Sequence, residues 1–234
     1  MKGATMMEQS NINDIIQRHS QWLAGKSIGM RAELKNVSLD YKDLRGYDLR
    51  YAKFYHVNML GINFAGTNLS SAVFTECVIL RSIFLRAQLN QVTMLDCKID
   101  FSDFSEAIMD DSDFTNVSGI KVTLLKTKIQ RVSFKKVSLR SCNFSGSFMN
   151  KSDLTGCSFN RSTFTNTDFT DVDLSKADLT RCNMRGAIFT GTSLVGADLR
   201  WSILEGIELT DVNFGGANLH GAEMSDLKYG SAKQ

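Results

Sequence analysis

The chain contains no proline in 234 residues. Loops and turns ordinarily carry some. Its absence points to a backbone whose N–H groups are needed as donors along a long hydrogen-bonded ladder, which proline cannot supply. Histidine is nearly as scarce. His19, His56 and His220 lie far apart and offer no spacing for a metal or catalytic cluster. No CxxC, HExxH, Walker-type or GxSxG element occurs, so the usual thiol, metalloprotease, phosphate-loop and hydrolase readings have no support. No window approaches the roughly 18 consecutive apolar residues of a membrane helix. The opening MKGATMMEQS lacks the apolar run of a signal peptide. A cytoplasmic chain without a membrane span is therefore expected. Nor is there an excess of one charge: 27 Lys and Arg face 25 Asp and Glu, for a net +2. A surface coated by nucleic acid would need a strong basic excess, so nucleic acid is not the expected partner of the whole surface.

What is present is a period. Stepping by five from Leu34 gives Leu39, Leu44, Leu49, Phe54, Met59 and so on to Tyr229, 40 positions in one register. All but Gly119 and Tyr229 are Leu, Phe, Met or Ile. Two residues before each, 35 of 40 positions hold Ala, Val, Cys, Ser or Thr, the exceptions being Lys42, Tyr47, Ile62, Ile207 and Leu227. On an α-helix, five residues advance about 140° net, and the large residues would spiral over every face. On a flat strand they would alternate between faces. A chain that turns a corner every five residues buries all of them. The large residue and the small one two before it point inward, and the other three face water. Four such sides make a 20-residue square coil, and 40 sides make ten coils stacked roughly 4.8 Å apart.

The repeats AGTNL, SKADL, VGADL and GGANL resemble the A(D/N)LXX pattern of the pentapeptide repeat family, and the resemblance covers about 200 of the 234 residues. It implies an all-β solenoid, a right-handed quadrilateral parallel β-helix of about ten coils. Leucine-rich and hexapeptide repeats have the wrong period. Gly119 removes one central side chain, and is read as a thin spot or bend where Ile120 fills the gap, or as a loop five residues long. Ile12, Ile15, Ile16, His19, Trp22 and Leu23 follow one helix face. They predict an α-helix over 10–24 that caps the first coil, with Asn11 or Ser10 as N-cap and Asp14 in the first turn. The expected organisation is 1–30 tail and capping helix, 31–230 β-helix, and 231–234 disordered tail.

The five cysteines, Cys77, Cys97, Cys142, Cys157 and Cys182, all occupy the small inward position and are read as packing residues. No catalytic residue, cofactor or metal is expected, and the chain is read as a non-enzyme. Stacking the coils sorts the outward residues into three candidate surfaces. Arg81, Phe101, Lys121, Arg161, Arg181 and Trp201, with Arg140 and Arg200 beside them, form a basic and aromatic ladder suited to an anionic partner. Asp153, Asp168, Asp171, Asp173, Glu208 and Asp211 form an acidic patch. Leu60, Leu80, Leu85 and Leu95, with Ile120 and Leu125, are apolar and outward and suit a protein contact.

The leading functional expectation is a bacterial protein-binding rod or scaffold. Resemblance to the family adds two alternatives: an acidic rod that mimics duplex DNA, binds gyrase and confers quinolone or toxin resistance, and a secreted effector. The first needs spaced negative charge, yet Arg131 and Lys151 interrupt the column between Asp111 and Asp171, and eight cations with no acid lie between Asp113 and Asp153. An anion or nucleic-acid binder using the ladder is the remaining alternative. The last coil is a candidate surface for a homodimer.

Overall fold

The computed structural model describes residues 5–229; the expected 231–234 tail lies outside them. From residue 33 to residue 229 the chain is a parallel β-solenoid of about ten turns. Each strand pairs with the one 20 residues away. Glu33–Lys35, Lys53–Tyr55, Val73–Thr75, Thr93–Leu95, Asp113–Thr115 and Ser133–Lys135 form one continuous parallel wall. The second wall runs through Asn58–Leu60 and Val78–Leu80 to Ser118–Ile120 and Ser138–Arg140. The third and fourth walls are held by single bridges, such as Asp43↔Asn63↔Ile83 and Asp48↔Asn68↔Gln88. The walls are named here by their central residues: Leu34 opens the first, Leu39 the second, Leu44 the third and Leu49 the fourth.

The interior is one column. Phe54, Phe64, Phe84, Phe104, Phe144, Phe164 and Phe189 are all buried. Equivalent rings stack coil on coil: Phe84 on Phe104 at 4.5 Å and 9°, Phe144 on Phe164 at 4.8 Å and 11°. Offset stacks of this kind add to the area term. The small inward position has its own hydrogen bond. Its hydroxyl or thiol donates to the carbonyl of a central residue one coil below, as in Ser82 Oγ to Met59 O (2.7 Å), Ser152 Oγ to Ile129 O (2.6 Å) and Cys182 Sγ to Phe159 O (3.0 Å). Ser, Thr and Cys can therefore replace Ala or Val inside the core without an unmet polar group.

One side shows what excludes proline. In the side Asn63–Thr67, Asn63 N donates to Lys42 O, Phe64 N to Ile83 O, Gly66 N to Leu85 O and Thr67 N to Phe64 O. Ala65 N donates to the Asn63 side chain at 3.0 Å. All five N–H groups are used. The residue two after the central one is left-handed at each of the 39 corners from Asn36 to Asp226, with φ between 51° and 70°, although only 11 of those corners are glycine. A left-handed L-residue costs roughly 1–2 kcal/mol, which the ladders on either side offset.

Gly119 lies within the strand Ser118–Ile120, in register with Leu139, so the chain neither loops nor breaks there. Ile120 points outward and does not fill the gap, contrary to the expectation. Val122, Ile99 and Leu139 close in instead, each placed within about 3 Å of where a Cβ on Gly119 would sit. A residual apolar void of about 10 Å³ lies beside them, lined by Phe104, Phe114, Leu124 and Phe134 among others.

Helix α1, Gln9–Leu23, covers the first coil through Ile12, Ile16 and His19. Its N-cap is Glu8, extended at φ −72° and ψ 150° and without a side-chain capping bond; neither Asn11 nor Ser10 serves. Because the helix begins before Ser10, Asp14 falls outside the first turn and pairs with Arg18 at 3.0 Å. A short strand β1, Thr5–Met6, adds to Val37–Ser38 and closes the edge that α1 leaves. Two of the five large residues at small positions, Lys42 and Tyr47, sit in the first coil; Ile62 and Ile207 are fully buried.

Candidate binding surface

The histidines are dispersed and the thiols buried. His19, on α1, is buried against the first coil, His56 sits at a corner 3.2 Å from Glu76, and His220 meets Trp201 edge-on. All five thiols are free and buried. Burial pushes Cys142, Cys157 and Cys182 up to about 12, which suppresses the thiolate that a nucleophile needs. Cys77 and Cys97 lie one coil apart and donate to backbone carbonyls, Cys77 Sγ to Phe54 O at 3.4 Å and Cys97 Sγ to Leu95 O at 3.4 Å; the neighbouring Cys77 thiol and burial push Cys97 up. Among the described residues no group of three His, Cys, Asp or Glu could hold a metal ion, and no helix is long and apolar enough to cross a membrane.

The second wall collects most of the sequence-predicted ladder. Arg81, Phe101, Lys121, Arg161, Arg181 and Trp201 occupy six of the seven left-handed corners from 81 to 201 along one edge of that wall, with Ser141 at the seventh. The Arg81 guanidinium lies 5.9 Å from the Phe101 ring centroid, within cation–π range. Trp201 rests on the backbone of the next coil at Gly221, where a Cβ would meet the indole, yet the residue is 55% exposed. Tyr41 lies over Gly61 in the same way at the other end of the column. Arg200 differs from the rest. It forms a two-pronged pair with Asp198, Nε to Oδ1 at 2.9 Å and Nη2 to Oδ2 at 2.6 Å. Lys98 is likewise held by Asp100 at 3.0 Å. Arg81, Lys121, Arg140, Arg161 and Arg181 have no carboxylate partner among the described residues.

The acids divide into two groups. Asp153 and Asp173 stack directly, and Asp168 is separated from Glu208 by Ile188. Asp153, Asp168 and Asp173 each accept the N–H two residues on, from Thr155, Thr170 and Ser175, so they close their own corners as well as carrying charge. Asp171 and Asp211 stand at left-handed corners. Other acids are neutralised coil to coil: Glu106 by Arg86 at 2.8 Å, Asp111 by Arg131 at 2.6 Å and Glu205 by Arg185 at 2.7 Å. These arginines hold the pKa of Glu106 and Asp111 below the usual carboxylate range. The apolar candidates Leu60, Leu80, Leu85 and Leu95 are half-buried, with Leu60 paired on Leu80. Ile83, Ile120, Phe101 and Tyr41 are more exposed.

Two signals escaped the reading of the sequence. No Val, Ile or Thr occurs at any of the 39 corners, as a left-handed backbone demands of branched side chains. The triplet Asp-Leu-Arg, at 43–45, 48–50 and 198–200, marks the two-pronged pair each time.

Four flat walls around a single interior column, with every outward side chain indexed by a 20-residue step, define a β-solenoid built of five-residue sides. Profiles of pentapeptide repeats match residues 133–171 and 167–206, in eight copies, and a profile of the pentapeptide repeat region matches 67–144. The chain belongs to the pentapeptide repeat family. Similar solved structures include HetL, a pentapeptide repeat protein involved in heterocyst differentiation regulation in Nostoc sp. strain PCC 7120. It is 25% identical over 91% of this chain and 92% of its own, with a TM-score of 0.34. Rfr23 from Cyanothece 51142 is 22% identical over 48% of this chain and 90% of its own, TM-score 0.38. Trypsin-treated QnrB1, a plasmid-mediated fluoroquinolone resistance protein, is 16% identical over 82% and 92%, TM-score 0.45. Superposition scores this low carry no functional argument. No curated protein matches the chain.

Proposed function

We propose that the protein is a non-catalytic rod that presents a rigid wall to a protein partner. The observation that carries this reading is a strip of outward apolar and aromatic side chains on the lower half of the second wall, continuing across its corner onto the third. Leu60 pairs on Leu80, and Tyr41, Ile83, Phe101 and Ile120 lie exposed around them. Contiguous apolar surface of this kind marks a protein contact more often than scattered residues do. The rigid ladder fixes the strip in advance, so little ordering entropy is lost on binding. The buried, high-pKa thiols and dispersed histidines support the non-catalytic part.

The duplex-mimic reading is weaker. Its acidic column is broken at Arg131, which pairs with Asp111, and again at Lys151. The coil-to-coil ion pairs also remove charge that a mimic would need to show.

Photocrosslinking tests the proposal. A photoreactive amino acid is placed at Arg81, Arg86, Gln91 or Asp96, one at each corner, and the full chain is exposed to host lysate. A protein adduct confined to the Arg81 position and lost on Phe101→Asp is expected; aspartate already stands at corners 96 and 111. Equal adducts from all four corners, or none from Arg81, would overturn the reading.

A further inference from the structure

The upper half of the second wall has a different character from the apolar strip beneath it. Between residues 116 and 201, that wall and its two edges carry Lys121, Lys136, Arg140, Arg161, Lys176 and Arg181, none paired with a carboxylate among the described residues. Asp178 is the one acid there outside an ion pair, since Asp198 is taken by Arg200. A net charge of only +2 for the chain hides this local excess, because the compensating carboxylates lie on other walls or are already paired. From Lys121 to Trp201 the corner column spans four coils, about 19 Å at roughly 4.8 Å per coil.

We propose that this wall binds single-stranded nucleic acid, lying along the rod with its phosphates on the Arg and Lys columns and a base against Trp201. The contact is separate from the protein contact proposed above. The exposed ring favours a nucleic-acid strand over an acidic polypeptide, and the shape of the wall favours a single strand over a duplex. Three of the six unpaired cations on this wall are arginine, whose planar fork suits phosphate oxygens. Trp201 is laid flat on Gly221 and remains more than half exposed, the arrangement of a ring that stacks a base. The wall is flat and straight, without the concavity that would embrace a duplex.

The test uses the full chain and fluorescence anisotropy with labelled oligo(dT) and oligo(U) 20-mers, a blunt 20-base-pair duplex, and labelled polyglutamate. Single strands are expected to bind at 50 mM NaCl and to lose about a hundredfold in affinity by 200 mM, the slope for roughly five neutralised phosphates. The triple variant Arg140→Glu, Arg161→Glu, Arg181→Glu is expected to abolish binding. It should fold, because Glu76 and Glu106 already occupy left-handed corners and Glu205 the position equivalent to Arg140; a circular-dichroism melt checks this. Trp201→Ser should weaken oligonucleotide binding about tenfold and leave polyglutamate unaffected. The proposal is overturned by any of four results: no single-strand binding at 50 mM salt, unchanged binding in the triple variant, duplex bound as tightly as single strand, or polyglutamate bound as tightly with no sensitivity to Trp201. None of these bears on the Arg81 crosslink, so the protein-contact reading stands or falls apart from them.

Discussion

His19 makes the attachment of helix α1 depend on pH. The imidazole is fully buried between α1 and the first coil. Its Nδ1 accepts a hydrogen bond from Ala32 N at 3.1 Å, so the ring proton sits on Nε2. That nitrogen has no hydrogen-bond partner; the Arg50 carbonyl favours its proton without reaching bonding geometry. Asp48 pulls the pKa up, and Arg31 and Arg50 push it down. Burial outweighs them all, and the pKa lies below its ordinary value of 6.5. A second proton would set N–H against the Ala32 N–H and bury a charge.

The sign follows from linkage. A histidine whose pKa falls on docking is neutral when docked and charged when released at low pH. The docked state is therefore fully stabilised above pH 6.5. It loses up to about 1.4 kcal/mol for each unit below 6.5, until the depressed folded value is reached. The carboxylates of Glu33, Asp43 and Asp48 are held below their usual range by Arg31, Arg45 and Arg50, so they titrate beneath this window. Trp22 reports the event, since its ring stacks on His19 at 5.5 Å and meets Tyr51 edge-on at 6.2 Å. In a Trp201→Phe background, Trp22 emission and amide-exchange protection of α1 are followed from pH 8 to pH 5. Both should fall below pH 6.5 while the solenoid stays protected. His19→Phe leaves the Ala32 N–H unmet, at about 1–3 kcal/mol, and should weaken α1 equally at every pH. A flat wild-type profile, or a His19→Phe profile with the same slope, would refute the reasoning.

The corners reverse the usual effect of glycine. Ser141→Gly should raise stability by up to about 1 kcal/mol, and Ser141→Val should lower it by at least as much, in urea melts of the two variants. Gly119→Ala drives a methyl to within 2.8 Å of Val122 and 2.9 Å of Ile99, and should cost about 1–3 kcal/mol by overpacking, despite the void nearby; a stabilised variant would mean that the three neighbours withdraw freely. Phe84→Ala opens the ring stack between Phe64 and Phe104 and should cost about 3–5 kcal/mol, read as a lowered melting midpoint.

The period of five carried the architecture because it is incompatible with helix and strand alike. Phe84, Phe104, Phe144 and Phe164 face inward as that period requires. Periodicity says nothing about which outward charges pair. Arg200 and Arg181 both follow an Asp closely, yet Arg200 is tied to Asp198 two residues before it, while Arg181, at the corner three residues after Asp178, has no carboxylate partner among the described residues. That distinction depends on side-chain reach across one side of the coil. The helix boundary shifted because Glu8 caps through its extended backbone alone, and cap searches look for a side-chain acceptor. At Gly119 the sequence showed a missing side chain but not the three that lean in to replace it.

The coil-to-coil N–H ladder restricts how this chain can change length. One inserted residue would strand a donor and turn every later core side chain outward. Five inserted residues would keep the core intact but rotate everything beyond them by a quarter turn. The apolar strip below and the cationic strip above would then face different directions. Whatever binds both strips at once is thus sensitive to insertions far from either, by a geometric gearing that no point substitution can imitate.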